Sequence, residues 1–347
     1  MLLALALLLA SMPAYLLGFN VDTKHPILLE EPGAGGFGQS VELESSSGGS
    51  RVFVGAPLKE VEGERRGGLY SCTLLLTESR GGCSEVQVEG RVREKEVRDG
   101  QLLGLDLALL EGQGGGELHT CAPRRQHQFT KNWGSVTQEY MLMQGRCWNI
   151  SLPSLSVGQP QNYLEGTPKL NYNGSPYGTA YSSLGLAMHA VEGELVLGGP
   201  GTRDWRGALL SRTNSKSVLG EEWNGAALST YSYMGYSLSS GKFKPDSEEV
   251  QVVVGSPRGG REREGEVHIV ERLPQDGEAG TARRKMVLYK QIRPRMGQLG
   301  EYFGASLAAA DLNGDGLDDL LVGSPLSTLQ QARGKRESGR VSKVGVH

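Results

Sequence analysis

The sequence predicts an all-β protein, a β-propeller assembled from one repeated unit of about four short strands. Three observations carry this. The 347 residues include 51 glycines, about twice the average share, which favours many turns over long helices. An apolar or aromatic residue followed by glycine opens a short strand at intervals along the chain, and a later apolar strand of the same unit closes on proline after a glycine or small residue. Near the end of the chain, an acidic loop runs directly into an apolar strand.

The first unit reads Phe37-Gly-Gln-Ser-Val, then Arg51-Val-Phe-Val-Gly55-Ala-Pro57, then Gly67-Gly-Leu-Tyr70. A degraded second unit holds Leu103-Gly-Leu-Asp-Leu107 and Leu118-His-Thr-Cys121-Ala-Pro123. The third has Leu184-Gly-Leu-Ala-Met188, Leu195-Val-Leu-Gly198-Gly-Pro200 and Trp205-Arg-Gly-Ala-Leu209. Met234-Gly-Tyr-Ser-Leu238, Val250 to Pro257 and Gly265-Glu-Val-His-Ile269 form the fourth, and Tyr302 to Pro325 the fifth. The repeats span about 33–75, 100–125, 180–212, 230–271 and 298–325, leaving 326–347 as a divergent tail. Their prolines recur roughly every 60 to 80 residues, a period that suits sheet-sized blades better than helical or leucine-rich repeats. In each unit glycine permits close backbone approach at the end of a buried strand, and proline stops the ladder. One such tripeptide is an ordinary turn, but five in register with their openings are a repeat.

The acidic loop is Asp311-Leu-Asn313-Gly-Asp315-Gly316-Leu317-Asp-Asp319. Oxygen-bearing side chains at Asp311, Asn313, Asp315 and Asp319, with the backbone of Leu317 between them, alternate as ligands of Ca²⁺ do. An EF-hand would need a bidentate Glu at its twelfth position, which here is Val322 inside Leu320-Leu-Val322. The loop is therefore expected to join two strands and to hold a structural ion, its coordination filled by protein oxygens.

A net charge of −3 with interspersed signs gives no electrostatic reason to expect nucleic acid or an anionic membrane as partner. No Gly-x-Ser-x-Gly elbow, His-Glu-x-x-His or phosphate-binding glycine loop occurs, and the six histidines are scattered, so no catalytic residue is assigned and the protein is expected not to be an enzyme. Residues 1–18, with an apolar run from Leu2 to Leu9, read as a signal peptide, and no other segment reads as membrane-spanning. Secretion makes four cysteines a disulfide set. Of the three pairings they allow, Cys72 with Cys83 and Cys121 with Cys147 fits hairpin-sized loops best. Asn149 and Asn173 begin Asn-x-Ser acceptor patterns for glycosylation, Pro176 weakening the second. Pro153 to Ser175 and Pro274 to Lys285 read as irregular links between strands.

Together these residues resemble the FG-GAP repeats of integrin α subunits, over roughly Phe19 to Pro325. Phe19-Asn-Val-Asp22 is similar to the mature N-terminus of that family, Cys121-Ala-Pro-Arg124 to its second blade and Asp204-Trp205-Arg-Gly207 to its third. The strongest likeness is Gly300-Glu-Tyr-Phe-Gly-Ala-Ser306 joined to the acidic loop. No inserted domain separates the second and third repeats, as in the branch without an I domain. Gly241-Lys-Phe-Lys-Pro-Asp246 replaces a calcium loop in the fourth repeat, similar to the alpha-four and alpha-nine members or an invertebrate α subunit.

The resemblance implies five of seven blades of a calcium-stabilised adhesion-receptor head, paired with an integrin β subunit and binding an extracellular matrix or cell-surface protein. It implies a secretory route to the cell surface, and ligand-interface residues Asp204, Trp205, Tyr231 and Tyr233. Family members that read Arg-Gly-Asp ligands carry an Asp just before their Tyr-x-Gly-Tyr motif. Ser229-Thr-Tyr-Ser-Tyr233-Met-Gly-Tyr236 has none, so the ligand is expected not to be read through an arginine. With the sixth and seventh repeats, legs and membrane helix of the family missing from this sequence, the chain reads as a truncated gene model or isoform. The alternatives are an FG-GAP accessory module of a secreted, phospholipase-like enzyme and a free calcium-binding matrix protein.

Overall fold

A computed structural model of the chain describes residues 26–46, 49–74, 81–89, 96–112, 115–133, 135–152, 154–161, 178–213, 216–219, 229–245, 247–275, 283–328 and 339–345. The signal-peptide reading, Phe19 to Asp22 and Asn173 lie outside these residues.

Antiparallel sheets follow one another along the chain. The first contains β1 (Ser40–Ser46), β2 (Gly49–Gly55), β5 (Leu69–Thr73) and β6 (Gly82–Val86), with a small hairpin, β3 (Glu60–Val61) and β4 (Glu64–Arg65), on the connection. The second orders β8 (Leu107–Leu110), β9 (Glu117–Ala122), β12 (Arg146–Ser151) and β13 (Ser156–Val157). It is interrupted by the long hairpin of β10 (Gln126–Trp133) and β11 (Val136–Leu142), whose β10 also pairs with β7 (Glu96–Val97). The third has β14 (Met188–Val191), β15 (Glu194–Gly198), β16 (Leu209–Thr213) and β17 (Lys216–Leu219). β18 (Ser237–Gly241), β19 (Gln251–Ser256), β20 (Glu266–Gln275) and β21 (Arg283–Ile292) make the fourth. The fifth is β22 (Ser306–Ala310), β23 (Asp319–Ser324) and β24 (Arg340–Val344).

The first strand of each sheet touches the first strand of the next, β1 against β8, β8 against β14, β14 against β18 and β18 against β22. This succession of sheets around inner strands is the all-β propeller arrangement that the repeat predicts. Because the inner sheets each lie between two others, their second strand is apolar at consecutive positions instead of alternate ones. Leu195, Val196 and Leu197, like Val252, Val253 and Val254, are 0% exposed. Their side chains feed successive cores. Phe53, Leu69, Leu103, Leu118 and Trp148 pack together between the first and second sheets. Cys121, Cys147, Leu184, Leu195 and Leu197 pack between the second and third. Val196, Met234, Val252 and Val254 fill the next gap, and Val253, Ile269, Phe303, Leu320 and Val322 the last.

The joints explain the glycines. A Cβ on Gly55, Gly198 or Gly255 would stand 2.0, 1.9 or 2.1 Å from the carbonyl oxygen of Gly104, Gly235 or Gly304 in the following unit. Any side chain there would push two sheets apart. Polar bonds cross the same gaps. The Asp106 carboxylate accepts from its own neighbour Leu107 N–H at 3.0 Å and from Met188 N–H of the third sheet at 2.6 Å. Buried Arg272 in β20 reaches back to the Val191 carbonyl at 3.3 Å and pairs with Glu192 and Glu194 of the third sheet.

One boundary moves relative to the sequence reading. Residues 340–344, assigned to the divergent tail, pair along β23 from Leu320↔Val344 to Ser324↔Arg340 and complete the fifth sheet. β23 supplies the edge along which they pair. The paired cysteines sit opposite each other across neighbouring strands and are bonded as Cys72–Cys83 and Cys121–Cys147.

Candidate functional site

Gly201 to Trp205, between β15 and β16 of the third sheet, and Ser229 to Tyr233, on the link from β17 to β18, lie side by side. Tyr231 N–H donates to the Asp204 carbonyl at 3.1 Å and Tyr233 N–H to that of Trp205 at 2.9 Å. Thr202–Trp205 is a single turn in which Arg203, Asp204 and Trp205 have φ of 51, 57 and 57°. Such left-handed residues cost roughly 1–2 kcal/mol each. Ser183, Tyr231, Tyr233 and Arg263, all near this turn, also have positive φ. The surrounding joint holds them there, through Gly201 N–H to the Ser182 carbonyl, Gly207 N–H to the Thr202 carbonyl and Met234 N–H to the Arg206 carbonyl. Ser183 and Tyr233 repeat the left-handed residue that precedes the apolar-Gly opening of other units, at Leu102 and Tyr302, whereas the consecutive run Arg203 to Trp205 belongs to this place alone among the described residues, on loops of the kind that carry function.

The strained turn aims an aromatic ladder outward. Trp205 stacks on Tyr231 at 5.6 Å between ring centroids and on Tyr181 at 5.9 Å, the planes within 14° and 13° of parallel. Tyr181 and Tyr231 remain 46% and 45% exposed. Tyr233 lies beside the ladder, its ring under the Arg258 guanidinium at 5.2 Å and its hydroxyl accepting from Arg258 Nη1 at 3.3 Å. Arg263 donates to Ser229 Oγ at 3.2 Å and to the Thr230 carbonyl. The predicted Asp204, Trp205, Tyr231 and Tyr233 are thus gathered in one place, with Asp204 exposed at the turn. Tyr181, Arg258 and Arg263 join them unforeseen. Tyr181 comes from the entry to the third unit, far from Trp205 in sequence, and the arginines look like solvated surface charges until the loops fold together.

The acidic loop lies at the fifth sheet, between Ala310 and Asp319, which pair directly. The Asp311 carboxylate accepts from the backbone N–H groups of Gly314 at 2.7 Å, Asp315 at 3.2 Å and Gly316 at 2.8 Å. These bonds, that of Gly316 foremost, hold its carboxyl below the usual aspartate range. Asp315 in turn accepts from Leu317 N–H at 2.9 Å and from Asn313 Nδ2 at 2.8 Å. Asp319 differs, being 2% exposed at the start of β23. Its Oδ2 has no hydrogen-bond partner among the described residues and lies 2.8 Å from Lys343 Nζ, close enough for an ion pair.

Among the described residues no three His, Cys, Asp or Glu side chains converge as a metal cluster. The donor set is nonetheless one of hard oxygens on alternate residues, ending at the buried Asp319 carboxylate, which Lys343 pairs. Those residues fit Ca²⁺ by chemistry. Asp318, passed over in the sequence, faces the other way. Its Oδ2 accepts from Lys242 N–H at 2.7 Å while its own N–H donates to the Lys242 carbonyl at 2.8 Å, clamping the loop to the fourth sheet. Asn149 sits half-buried in β12, its amide nitrogen 3.4 Å from Glu117 Oε1.

Residues 303–342 match the FG-GAP repeat family. Integrin alpha-4 of Xenopus laevis is 29% identical over 339 residues, covering 93% of this chain and 30% of that protein. Integrin alpha-7 of Rattus norvegicus is 32% identical over 335 residues, 88% of this chain and 27% of the relative. Integrin alpha-3 of Cricetulus griseus is 29% identical over 346 residues, 94% and 30% respectively. The chain therefore spans about three-tenths of the length of these relatives. With its FG-GAP match and these relatives, the chain is similar to the head region of integrin α subunits.

Proposed function

We propose that this chain is the head region of an integrin α subunit, which pairs with an integrin β subunit and presents the Trp205 surface to an extracellular protein ligand at the cell surface. The observation that carries the reading is the exposed Tyr181–Trp205–Tyr231 ladder on strained loops. Stacked rings offer a large, rigid contact area at little cost in side-chain entropy. The chain's part in this is recognition, not bond-making.

Arg258 and Arg263, on the connection between β19 and β20 that packs against these loops, with Arg203 and Arg206 beside the turn, make the surface basic. An incoming arginine would meet like charge there, and the exposed carboxylate of Asp204 is outnumbered. We therefore assign a ligand not read through an arginine. Ca²⁺ would be held by Asp311, Asn313, Asp315, the Leu317 carbonyl and Asp319, where it supplies positive charge to offset the gathered carboxylates. Asp311 and Asp315 already fold the loop around themselves, and Asp318 fixes it to the neighbouring sheet.

The experiment is co-expression of the chain with β subunits, followed by capture and ligand binding. Trp205→Ala should keep β capture and lower ligand affinity at least tenfold, the cost of losing a central aromatic anchor being about 2 kcal/mol. Tight binding of an Arg-Gly-Asp peptide that is lost when its Arg becomes Ala would refute the ligand assignment. Failure to capture any β subunit would refute the receptor reading.

A further inference from the structure

Arginines that tertiary contacts hold in place elsewhere in the chain face carboxylates. Arg66 pairs with Glu62 and Glu64, Arg125 with Glu89 and Glu96, Arg272 with Glu192 and Glu194, and Arg340 with Glu301. Arg258 and Arg263 are held differently. Arg258 Nη1 donates to the Tyr233 hydroxyl at 3.3 Å, and Arg263 Nη1 donates to Ser229 Oγ at 3.2 Å and to the Thr230 carbonyl. Neither has a carboxylate partner among the described residues, and Nε and Nη2 of both are open to water. The acids nearby do not change this. Glu264 Oε2 accepts from the Glu262 N–H at 2.8 Å, and the exposed Asp204 and Glu262 form no ion pair with either arginine among the described residues.

The two guanidinium groups bracket one segment. Arg263 anchors at Ser229 and Thr230, Arg258 at Tyr233 and, through its backbone N–H, at the Ser232 carbonyl, and Tyr231 stands between them. Trp205 covers one face of the Tyr231 ring, and Tyr231 remains 45% exposed. The surface therefore offers a ring face beside two guanidinium forks whose remaining donors are open. An aliphatic acid would meet the forks and leave the ring bare, and a neutral aromatic side chain would cover the ring and leave both cations unmatched. A ring that carries an anionic group satisfies both, because the planar fork takes two oxygens of an oxyanion at once. Outside the cell the protein side chain of that kind is tyrosine O-sulfate, which is formed in the secretory route. Phosphotyrosine is its counterpart inside the cell.

We propose that this surface reads a sulfated tyrosine of an extracellular protein, its ring laid on the open side of Tyr231 and its sulfate oxygens taken by Arg258 and Arg263. The inference rests on the recognition role of the Trp205 surface and names the chemical group that this role selects. Nη1 already fixes both arginines, and the stacked rings are set by their turns, so little ordering opposes docking.

The test is fluorescence polarisation on the purified 347-residue chain, with labelled glycine-flanked peptides whose central residue is sulfated tyrosine, tyrosine or glutamate. The sulfated peptide should bind about tenfold more tightly than either of the others, and the difference should shrink as salt is added. Arg258→Gln and Arg263→Gln should each lose most of that preference. Arg261→Gln, which removes an exposed arginine of the same connection that does not anchor to the Tyr231 segment, should keep it. The preference compares two peptides on one protein, so the folded fraction of a variant cancels. Equal binding of the sulfated and unsulfated peptides, glutamate bound as tightly as sulfated tyrosine, or an equal loss in Arg261→Gln, the mark of a general polyanion surface, would each overturn the proposal. Capture of a β subunit is measured separately. A chain that captures one yet shows no preference overturns this inference alone, whereas a preference kept without capture upholds it and overturns the receptor reading.

Discussion

His119 and Asp106 set opposing pH dependences on the stability of the second sheet, and removing either should expose the other. His119, in β9, is 2% exposed, and neither ring nitrogen has a hydrogen-bond partner among the described residues. Burial, aided by the Arg212 charge, lowers its pKa from 6.5 to about 4. The unfolded chain therefore takes up a proton between those values that the folded chain refuses, and stability falls as the pH drops through that interval. For Asp106, burial raises the carboxyl from 3.8 to about 6, against the bonds from Met188 and Leu107. Here the folded chain holds a proton the unfolded one has lost, so stability falls as the pH rises through nearly the same interval. At about 1.4 kcal/mol per pH unit of separation, each group alone moves stability by about 3 kcal/mol, in opposite directions. Their effects nearly cancel in the wild type. Asp106→Asn should leave a chain that loses about 3 kcal/mol, relative to wild type, from pH 6.5 to 4. His119→Gln should lose a similar amount relative to wild type as pH rises from 4 to 6. Urea unfolding followed by circular dichroism at half-unit pH steps measures both slopes, whatever constant offset each substitution adds. Variant slopes that match wild type, or that share one sign, would refute the reasoning.

Three further outcomes follow from the joints and the acidic loop. Asp315→Ala should abolish the rise in melting temperature that added Ca²⁺ gives the wild type, while a retained rise would contradict the loop assignment. Asp318→Ala, which removes the carboxylate that accepts from Lys242 N–H at 2.7 Å, should cost about 1–2 kcal/mol in urea unfolding. An unchanged midpoint would mean that the clamp between the fourth and fifth sheets contributes nothing. Gly198→Ala puts a methyl group 1.9 Å from the Gly235 carbonyl oxygen and should abolish secretion of folded chain, whereas Gly82→Ala, with open space around its Cβ, should be secreted as wild type. Equal secretion of the two would show that the joint is not as tight as drawn.

The order of units was legible in the sequence because each joint demands the same residues: an apolar-Gly opening, an apolar second strand buried on both faces, and a glycine at its end. Gly55, Gly198 and Gly255 could be picked out for this reason, and so could the acidic loop, whose candidate ligands are close neighbours in sequence. Cys72 and Cys83 could be paired because a short hairpin leaves few alternatives. What spans units was not legible. Arg340 to Val344 joins the fifth sheet only because β23 offers it an edge to pair along. Tyr181 meets Trp205 only after two loops of the third unit adopt left-handed turns that sequence preference opposes. Asp318 has no role assigned from sequence, until the neighbouring sheet supplies Lys242 and makes it a clamp. Local chemistry thus determined the repeat and its ion loop, because their contacts lie within a few residues. The aromatic, basic surface was decided only by tertiary packing, because its side chains come from separate units and meet where the sheets are pressed together.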